Sequence, residues 1–579
     1  MALLASGALA AQEFPQEPAQ STPATAPPVD QVTVHGVVRN AATGDPLPRA
    51  LVRIEGDADA GALTDGDGRF EIPGVPSGQQ IFQVIKPGFG DPAPPGELSV
   101  DGSGGATHNI VVAASMPELA FALEPRCSLR GRVELSTGDP AQGIVIEVLR
   151  QTVQQGRTAW QTASTARTNS EGTWRVGNLA DGKYAVMTNP AMDSDSDMYL
   201  VEPGHGAQIA RNGYASIFYP DARDLAGAAK IRLSNGEQAQ ANLMLTLEPF
   251  HTVSAKVLDP RGRANAPGSP SDRPAESYSA QVLDIASHQT AYTAQYDQAT
   301  HSIQATLPNG TYSLTVTEAP VWNGQAGLGN ADLQPPAPLT GSADFSVEGH
   351  AVSNVRVPLS NPHGSSVQLR INRTALPSGQ AGAALYEGIV VTASQAGGLF
   401  SGGAVNMFAQ GSEPGPMKTS SMPPGSYWVH TQVARRDLCE ESFTAGGVNL
   451  AREPLVLGLS GATAPLELTL RDDCAKLTLS LAAPFSGLVP GEEPFETVYV
   501  VPDFDSTVDV QPFVLRPSSG GTITLEGLTP GSYHVYAFNQ PVQLEYHNPA
   551  VLAALPNPGQ QVTLSPGATS SLALAATAP

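Results

Sequence analysis

The sequence predicts an all-β protein built as a tandem array of about five small β-sandwiches. The chain has 579 residues, which is too long for one hydrophobic core at the usual ~100 to 200 residues per domain. It contains 58 Gly and 51 Pro but only 15% charged residues, a composition that favours short strands and turns over long helices. A strand-turn-strand pattern also recurs five times along the chain.

Each copy of this pattern is an alternating strand, a turn that contains Pro or Asp and ends in Gly, and a second alternating strand. The first copy reads "GRFEIPGVPSGQQIFQV" and the last reads "GTITLEGLTPGSYHVYA". We expect the turn glycine to need a positive φ in every copy. These glycines are Gly78, Gly182, Gly310, Gly425 and Gly531.

A tyrosine stands two residues after the turn glycine in four of the five copies. One aromatic residue at a fixed strand position in each unit is typical of a core anchor whose hydroxyl is hydrogen-bonded at the edge. A row of ligand-binding rings is the alternative. The first copy has Gln80 at this place, so we expect its packing to differ. The four tyrosines are Tyr184, Tyr312, Tyr427 and Tyr533.

A second feature ends most units: a strand, a turn with Gly, and a strand that alternates cleanly, such as Leu466, Leu468 and Leu470. This alternation is typical of a hairpin with one buried face. Strand-like starts recur at intervals of about 100 residues, enough for one small sandwich each. The expected organisation is a signal segment (1–12), a Pro-rich linker (13–30), unit 1 (31–125), unit 2 (126–249), unit 3 (250–361), unit 4 (362–473) and unit 5 (474–579).

The first residues predict export. The apolar run from Ala2 ends in Ala8-Leu9-Ala10, the small-x-small pattern that signal peptidase cleaves, although no basic residue precedes it. An apolar terminus, or a start further upstream, is the alternative. No later run reaches the ~18 apolar residues of a membrane helix, so we expect no membrane span in the mature chain. The expected location is extracytoplasmic: periplasmic, cell-surface or secreted.

The formal net charge of −23, from 54 acidic and 31 basic residues, disfavours a nucleic acid as partner, because phosphates would be repelled. The acidic segment "LTDGDG" resembles a calcium loop, but the closing glutamate of an EF-hand is missing. The matching segment of unit 2 reads Asn169-Ser-Glu-Gly172. We therefore attribute Asp65 and Asp67 to a hairpin turn and expect no metal and no cofactor.

The three cysteines are Cys127, Cys439 and Cys474. In an oxidising compartment Cys439 and Cys474 can form a disulfide, which would contribute about 3 to 4 kcal/mol. The alternative is that all three are small buried hydrophobic residues. Their spacing lacks the CxxC character of zinc and redox sites.

The sequence shows no catalytic signature. It has no His with Glu three residues on, no HExxH, no GxSxG and no GxxxxGK[ST]. Two tryptophans in loop-like surroundings, Trp160 and Trp322, are candidates for stacking on sugar rings, or else cover an inter-domain seam. Trp174 and Trp428 lie on repeat strands and are expected in the core.

The segment from Val34 to Phe89 resembles a carboxypeptidase regulatory-like domain, a transthyretin-like β-sandwich of exported bacterial proteins. Unit 2 is a weaker copy. The resemblance rests on Gly36, the Thr43-Gly44 turn, Pro48-Arg-Ala50, Thr64-Asp65, Gly68, Phe70 and the Pro76-Ser-Gly78 turn.

The resemblance implies transthyretin-like or immunoglobulin-like sandwiches without catalytic residues. Sandwiches of this shape also resemble starch-binding-like modules, so carbohydrate is a second candidate ligand. We therefore expect a non-catalytic exported protein of the cell envelope that binds a glycan or an envelope protein. The alternatives are a purely structural spacer and an accessory subunit of an envelope peptidase system.

Overall fold

The computed structural model describes residues 31–56, 60–90, 105–193, 211–260, 278–286, 289–297, 300–318, 339–360, 366–372, 388–396, 405–408, 417–418, 425–458, 461–462, 464–481, 496–515, 521–539 and 542–575. In these residues there are 42 strands and one short helix, so the predicted all-β class and the tandem array of small sandwiches are confirmed. The number and boundaries of the domains stay predictions. The signal segment and linker lie outside the described residues.

Unit 1 is a sandwich of two four-stranded sheets. Its strands pair in the orders β4-β1-β8-β6 and β3-β2-β5-β7. Alternate residues such as Ile72, Phe82 and Phe121 point between the sheets and form one core. The strands are β1 (Gln31–Asn40), β2 (Leu51–Ile54), β3 (Gly61–Leu63), β4 (Arg69–Pro76), β5 (Gly78–Ile85), β6 (Phe89–Gly90), β7 (Gly105–Val112) and β8 (Leu119–Pro125).

Unit 2 repeats this plan with its own core. One sheet has the order β11-β10-β13-β16; the other has β12-β9-β17, with β18 also paired to β9. A second cluster around Leu149, Met187 and Phe218 covers the outer face of the first sheet. The strands are β9 (Cys127–Leu135), β10 (Val145–Gln154), β11 (Arg157–Arg167), β12 (Thr173–Leu179), β13 (Gly182–Thr188), β14 (Ala191–Met192), β15 (Arg211–Tyr214), β16 (Ile231–Leu233), β17 (Gln238–Gln240) and β18 (Leu243–Leu245).

The strands of unit 3 form one continuous sheet instead of two separate ones. The order is β14-β15-β19-β22-β21-β20-β23-β24, with β25 paired to β19, so β14 and β15 from the expected range of unit 2 extend this sheet. Its core includes Val257, Tyr292 and Tyr312. The strands are β19 (Glu248–Leu258), β20 (Tyr278–Asp284), β21 (Gln289–Asp297), β22 (Ser302–Leu307), β23 (Gly310–Glu318), β24 (Thr340–Val347) and β25 (Val352–Pro358).

Unit 4 is again a two-sheet sandwich, with the orders β29-β26-β35-β31-β32 and β28-β27-β30-β33-β34. Its core includes Tyr427, Phe443 and Leu468. The strands are β26 (Ser366–Asn372), β27 (Ile389–Gln395), β28 (Val405–Phe408), β29 (Met417–Lys418), β30 (Gly425–Val433), β31 (Cys439–Ala445), β32 (Val448–Asn449), β33 (Leu455–Gly458), β34 (Gly461–Ala462) and β35 (Leu466–Arg471).

Unit 5 has the orders β39-β36-β42 and β38-β37-β40-β41. A cluster around Tyr499, Phe538 and Tyr546 covers the outer face of β37 and β40. The elements are β36 (Ala475–Leu481), β37 (Glu496–Pro502), β38 (Phe513–Leu515), β39 (Thr522–Leu528), β40 (Gly531–Phe538), α1 (Pro549–Ala554), β41 (Gln560–Leu564) and β42 (Thr569–Leu574). Within the described part of the chain, no helix has the length and apolar character needed to cross a bilayer.

The first and last strands of each unit run parallel to each other. The pairs are β1 with β8, β9 with β17 and β18, β19 with β25, β26 with β35, and β36 with β42. The chain therefore enters and leaves each unit at opposite ends.

The repeated turns are corners and not hairpins, because the strands on either side of each turn do not pair with each other. β4 pairs with β1, whereas β5 pairs with β2 and β7, so the chain changes sheet at Gly78. The second repeated feature also changes sheet, as β41 pairs with β40 and β42 with β36. The hairpin expectation was wrong because alternation reports a buried face but not the pairing partner.

The expectation of a positive φ at every turn glycine was also wrong. Gly78 has a φ of 113°, and Gly425 and Gly531 have a φ of 158°, close to extended chain, but Gly182 and Gly310 are not positive. These residues begin strands, where the backbone is extended. A different constraint favours glycine at Gly310, because a Cβ there would lie 2.8 Å from the hydroxyl of Tyr312.

The repeat tyrosines close these corners. Each ring is buried, and three hydroxyls donate to the carbonyl four residues upstream: Tyr184 to Ala180, Tyr312 to Pro308 at 3.0 Å and Tyr533 to Thr529 at 2.6 Å. This is the tyrosine corner known from β-sandwiches. In unit 1, Gln80 Nε2 donates to the carbonyl of Pro76 at 3.2 Å, so an amide satisfies the same upstream carbonyl.

The "TDGDG" segment is explained by its turn. Asp65 Oδ1 accepts from the amides of Asp67 and Arg69 at 2.9 and 2.8 Å. Asn169 in unit 2 accepts from the amides of Glu171 and Thr173 at 3.0 and 2.9 Å. An uncharged amide makes the same turn, so its geometry requires an oxygen acceptor and not a bound cation.

Cys439 and Cys474 form a disulfide with a Cα–Cα distance of 5.8 Å and a sequence separation of 35. It joins β31 of unit 4 to the start of β36 in unit 5. Cys127 is a free, buried cysteine, and burial, followed by the charge of Asp181, raises the pKa of its thiol to about 11.

Thiol counting tests this assignment. We expect maleimide to label no cysteine in the native chain on a short time scale, because Cys127 is buried and protonated. Unfolding without reductant should expose one thiol, and unfolding with reductant should expose three. Three thiols before reduction would exclude the disulfide, and mass spectrometry of Cys127→Ala is the control.

Candidate functional site at the junction of units 2, 4 and 5

Trp160 and Trp428 lie in surroundings that differ from the predicted ones. Trp160 lies on β11 and not in a loop; it is half-buried against the Phe218 cluster, with Lys230 Nζ 5.1 Å from its ring centroid. Trp322 lies outside the described residues. Trp174 is buried in the core of unit 2. Trp428 is outside the core of unit 4, because β30 turns Tyr427 and Val429 inward and Trp428 outward.

Units 4 and 5 share a continuous junction. The amide of Thr431 on β30 donates to the carbonyl of Thr507 at 2.8 Å, and the amide of Asp509 donates to the carbonyl of Thr431 at 3.2 Å. The buried carboxylate of Glu440 accepts from the amide and hydroxyl of Thr507 at 2.7 and 2.6 Å. Burial raises the pKa of Glu440, although the bonds from Thr507 oppose this shift.

The turn between β10 and β11 docks on this junction. The amide of His547 donates to the carbonyl of Gly156 at 3.1 Å, and Thr158 Oγ1 donates to Glu545 Oε1 at 2.6 Å. Gly156 is buried with a φ of 70°, and a Cβ on it would lie 2.5 Å from the ring of Tyr546. The turn therefore fits the junction only with glycine at its tip.

Arg157 lies at the centre of the contact. Its guanidinium carbon is 3.5 Å from the centroid of the Trp428 ring, a cation–π contact between residues of units 2 and 4. Its Nη2 donates to the carbonyl of Ala451 at 3.5 Å, the limit of a hydrogen bond, and its buried Nε makes none. Burial lowers the pKa of Arg157.

Two imidazoles next to Arg157 are neutral at neutral pH. His430 is buried on β30, and its pKa is lowered to about 4, first by burial and then by the charge of Arg157. His547 has a pKa lowered to about 3, by burial, Arg157 and His430 in that order. Neutral rings allow the junction to accept one cation without like-charge repulsion.

A cleft of about 90 Å³ adjoins the junction and is lined by Phe504, Asp505, Tyr546 and His547, among others. Sites for small molecules usually measure about 300 to 1,000 Å³. Among the described residues, no three His, Cys, Asp or Glu side chains are grouped as a metal site would require. The junction is occupied by polypeptide: an arginine on a tight turn lies against the ring of Trp428.

The site residues predicted from the sequence did not include Gly156, Arg157, Tyr546 and His547. The contacts join residues 294 and 387 positions apart, and "QQGRT" reads as an ordinary polar turn.

Replacing Gly156 with Ala should release the turn, because the methyl group would overlap the Tyr546 ring. We expect a larger radius of gyration by small-angle X-ray scattering and faster deuterium uptake around Arg157. Gly138→Ala is the matched control: its φ is 93°, but a Cβ there meets nothing within 4 Å. It should cost only about 1 kcal/mol of local stability. Identical shapes for the two variants would contradict the docking.

Acid should loosen the same contact. The pKa values of His430 and His547 lie below the ordinary ~6.5, so exposed forms of these side chains bind more protons between pH 6.5 and about 4. The stability gained by burying the neutral rings is present above pH 6.5 and is lost as pH falls through this window. The positive charge of Arg157 adds repulsion once either imidazole is protonated.

The measurement is deuterium uptake of the β10–β11 turn at pH 7 and pH 4, corrected for intrinsic exchange. We expect uptake to be about tenfold faster at pH 4, the equivalent of one pKa unit of linkage. His430→Gln should reduce this dependence, and His534→Gln, a histidine paired with Asp503 elsewhere, should not. A turn equally protected at both pH values would refute the expectation.

Comparison with known proteins supports the resemblance of unit 1. Residues 33–113 match the family model of the carboxypeptidase regulatory-like domain. No curated protein matches the chain by sequence.

Solved structures give similarities of fold type only. The Bacillus anthracis TIE protein is 13% identical over 70% of this chain and 64% of its own, with a TM-score of 0.14. A streptococcal ancillary pilin is 11% identical over 57% of this chain and 99% of its own, with a TM-score of 0.18. Two B repeat units of the collagen binding protein of Staphylococcus aureus are 10% identical over 72% and 93%, with a TM-score of 0.13. The chain thus spans about two thirds of the first of these proteins.

TM-scores this low support no inference about function. The family match and the two-sheet sandwich of residues 31–125 agree with each other. This chain therefore contains a carboxypeptidase regulatory-like domain at residues 33–113.

Proposed function

We propose that the chain is a non-catalytic, exported protein of the cell envelope whose sandwiches form a platform for binding an envelope protein. The observation that carries this proposal is the docking of the β10–β11 turn on units 4 and 5. This contact folds the array back on itself and fixes surfaces from distant parts of the sequence beside one another.

The same observation disfavours a purely structural spacer. A spacer works through its reach, and the reach of a flexible or extended array falls when one unit binds another several units away. A binding platform gains from the same contact, because a pre-organised surface loses less entropy when it meets a partner.

A protein partner suits the junction better than a carbohydrate does. The adjoining cleft is small, and the exposed chemistry there consists of backbone groups, carboxylates and aromatic faces that already bind a peptide turn. Carbohydrate is the second candidate, supported by the half-exposed ring of Trp160 on β11.

The test uses the purified full chain against solubilised envelope proteins and against a glycan array. A retained molecule is then purified, and its affinity is measured by titration calorimetry. We expect saturable binding of a protein at micromolar or lower Kd, unchanged in Trp160→Ala. Binding of a glycan that Trp160→Ala weakens at least about tenfold would support the second candidate. Saturable binding in neither arm would overturn the platform.

A further inference from the structure

We propose that the recess between Trp428, Ala451, Glu545, Tyr546 and His547 is a binding site for an arginine presented on a tight turn of a partner protein. In this structure the chain's own turn, residues 155–158, occupies the site. The inference rests on the proposed function, since it names the chemistry that a protein partner would bring.

The recess contacts three consecutive residues of the turn by different means. The His547 amide binds the carbonyl of the residue before the arginine, and Glu545 accepts from the hydroxyl of the residue after it. The ring of Trp428 lies against the guanidinium. The Tyr546 ring leaves no room for a Cβ before the arginine. The preferred ligand is therefore a turn of the form Gly-Arg-Thr or Gly-Arg-Ser.

The walls of the recess do not depend on the turn that fills it. Tyr546 packs in the cluster with Tyr499 and Phe538 inside unit 5. β30, which carries Trp428, is held to unit 5 through the bonds between Thr431 and Thr507. Both aromatic walls of the recess are thus held by contacts outside the turn.

The present occupant is held by few strong bonds. Among the described residues, the guanidinium of Arg157 has one hydrogen bond, at 3.5 Å, and no ion pair, although a guanidinium has five N–H donors. A charge-assisted, bidentate pair would bind the group far more firmly. The turn is retained chiefly because it is tethered at a high effective concentration, and a partner that adds contacts of its own can displace it.

Charge also favours a cationic ligand. The chain carries a net charge of −23, and Asp505, Asp509 and Glu545 lie at the rim of the recess. Asp509 Oδ1 accepts from the Tyr546 hydroxyl at 3.4 Å, and Asp505 is already paired with Arg452 at 2.7 Å. The negative potential of these carboxylates attracts an arginine to the opening of the recess. Inside the recess, the guanidinium of Arg157 uses only part of its hydrogen-bonding capacity.

The experiment measures binding of a disulfide-cyclised peptide that carries the sequence VQQGRTA of residues 153–159 to the full chain. Gly156→Val removes the native turn from the recess, and Arg157→Ala is a milder second variant in case the first does not fold. We expect either variant to bind the labelled peptide at least tenfold more tightly than the wild-type chain, in which the site is occupied.

Two controls test the specificity of the site. A peptide with alanine in place of its arginine should bind at least tenfold more weakly, and adding Trp428→Ala to Gly156→Val should abolish binding, with folding checked by circular dichroism. Equal binding to wild type and both variants, or equal binding of the two peptides, would overturn the inference. If the peptide binds but the full chain binds no envelope protein and no glycan, the recess is still an arginine site. In that case the proposed platform function is excluded.

Discussion

The architecture depends on the corner at which the chain passes between two consecutive strands that do not pair with each other. A chain that changes sheet leaves carbonyl groups without ladder partners, and a buried unpaired carbonyl costs about 1 to 3 kcal/mol. In units 2, 3 and 5 the tyrosine hydroxyl pairs with this carbonyl, and in unit 1 Gln80 does so. In unit 3 the glycine two residues earlier leaves space for the tyrosine side chain. The same hydrogen bond thus recurs at the corners of units 2, 3 and 5.

The corner was partly predictable from sequence. The spacing of Gly and Tyr indicated a repeated strand boundary and a buried anchor, as the structure has them at Tyr184 and Tyr312. The pairing of the flanking strands was not predictable, because alternation is the same in a hairpin and in a sheet-to-sheet corner. The same limit applies to Gln80, whose equivalence to tyrosine is evident only from the shared hydrogen bond.

The junction lay beyond the reach of sequence patterns. Trp428 was expected in the core because it lies on a repeat strand, but its position in the alternation faces Arg157 instead. The partners come from three units, and neither periodicity nor spacing encodes a contact between residues 387 positions apart. The sequence determines only the local geometry here. Gly156 gives the turn a tip without a Cβ, and this tip fits against the ring of Tyr546.

The parallel pairing of the first and last strands in each unit has a mechanical consequence. Tension between the two ends of a unit pulls these strands in opposite directions along their length. All the hydrogen bonds between them are then strained together, whereas in a peeled hairpin they break one after another. Rupture requires their concerted loss, so each sandwich should resist stretching force in proportion to the length of that ladder, which has six consecutive paired residues in units 4 and 5.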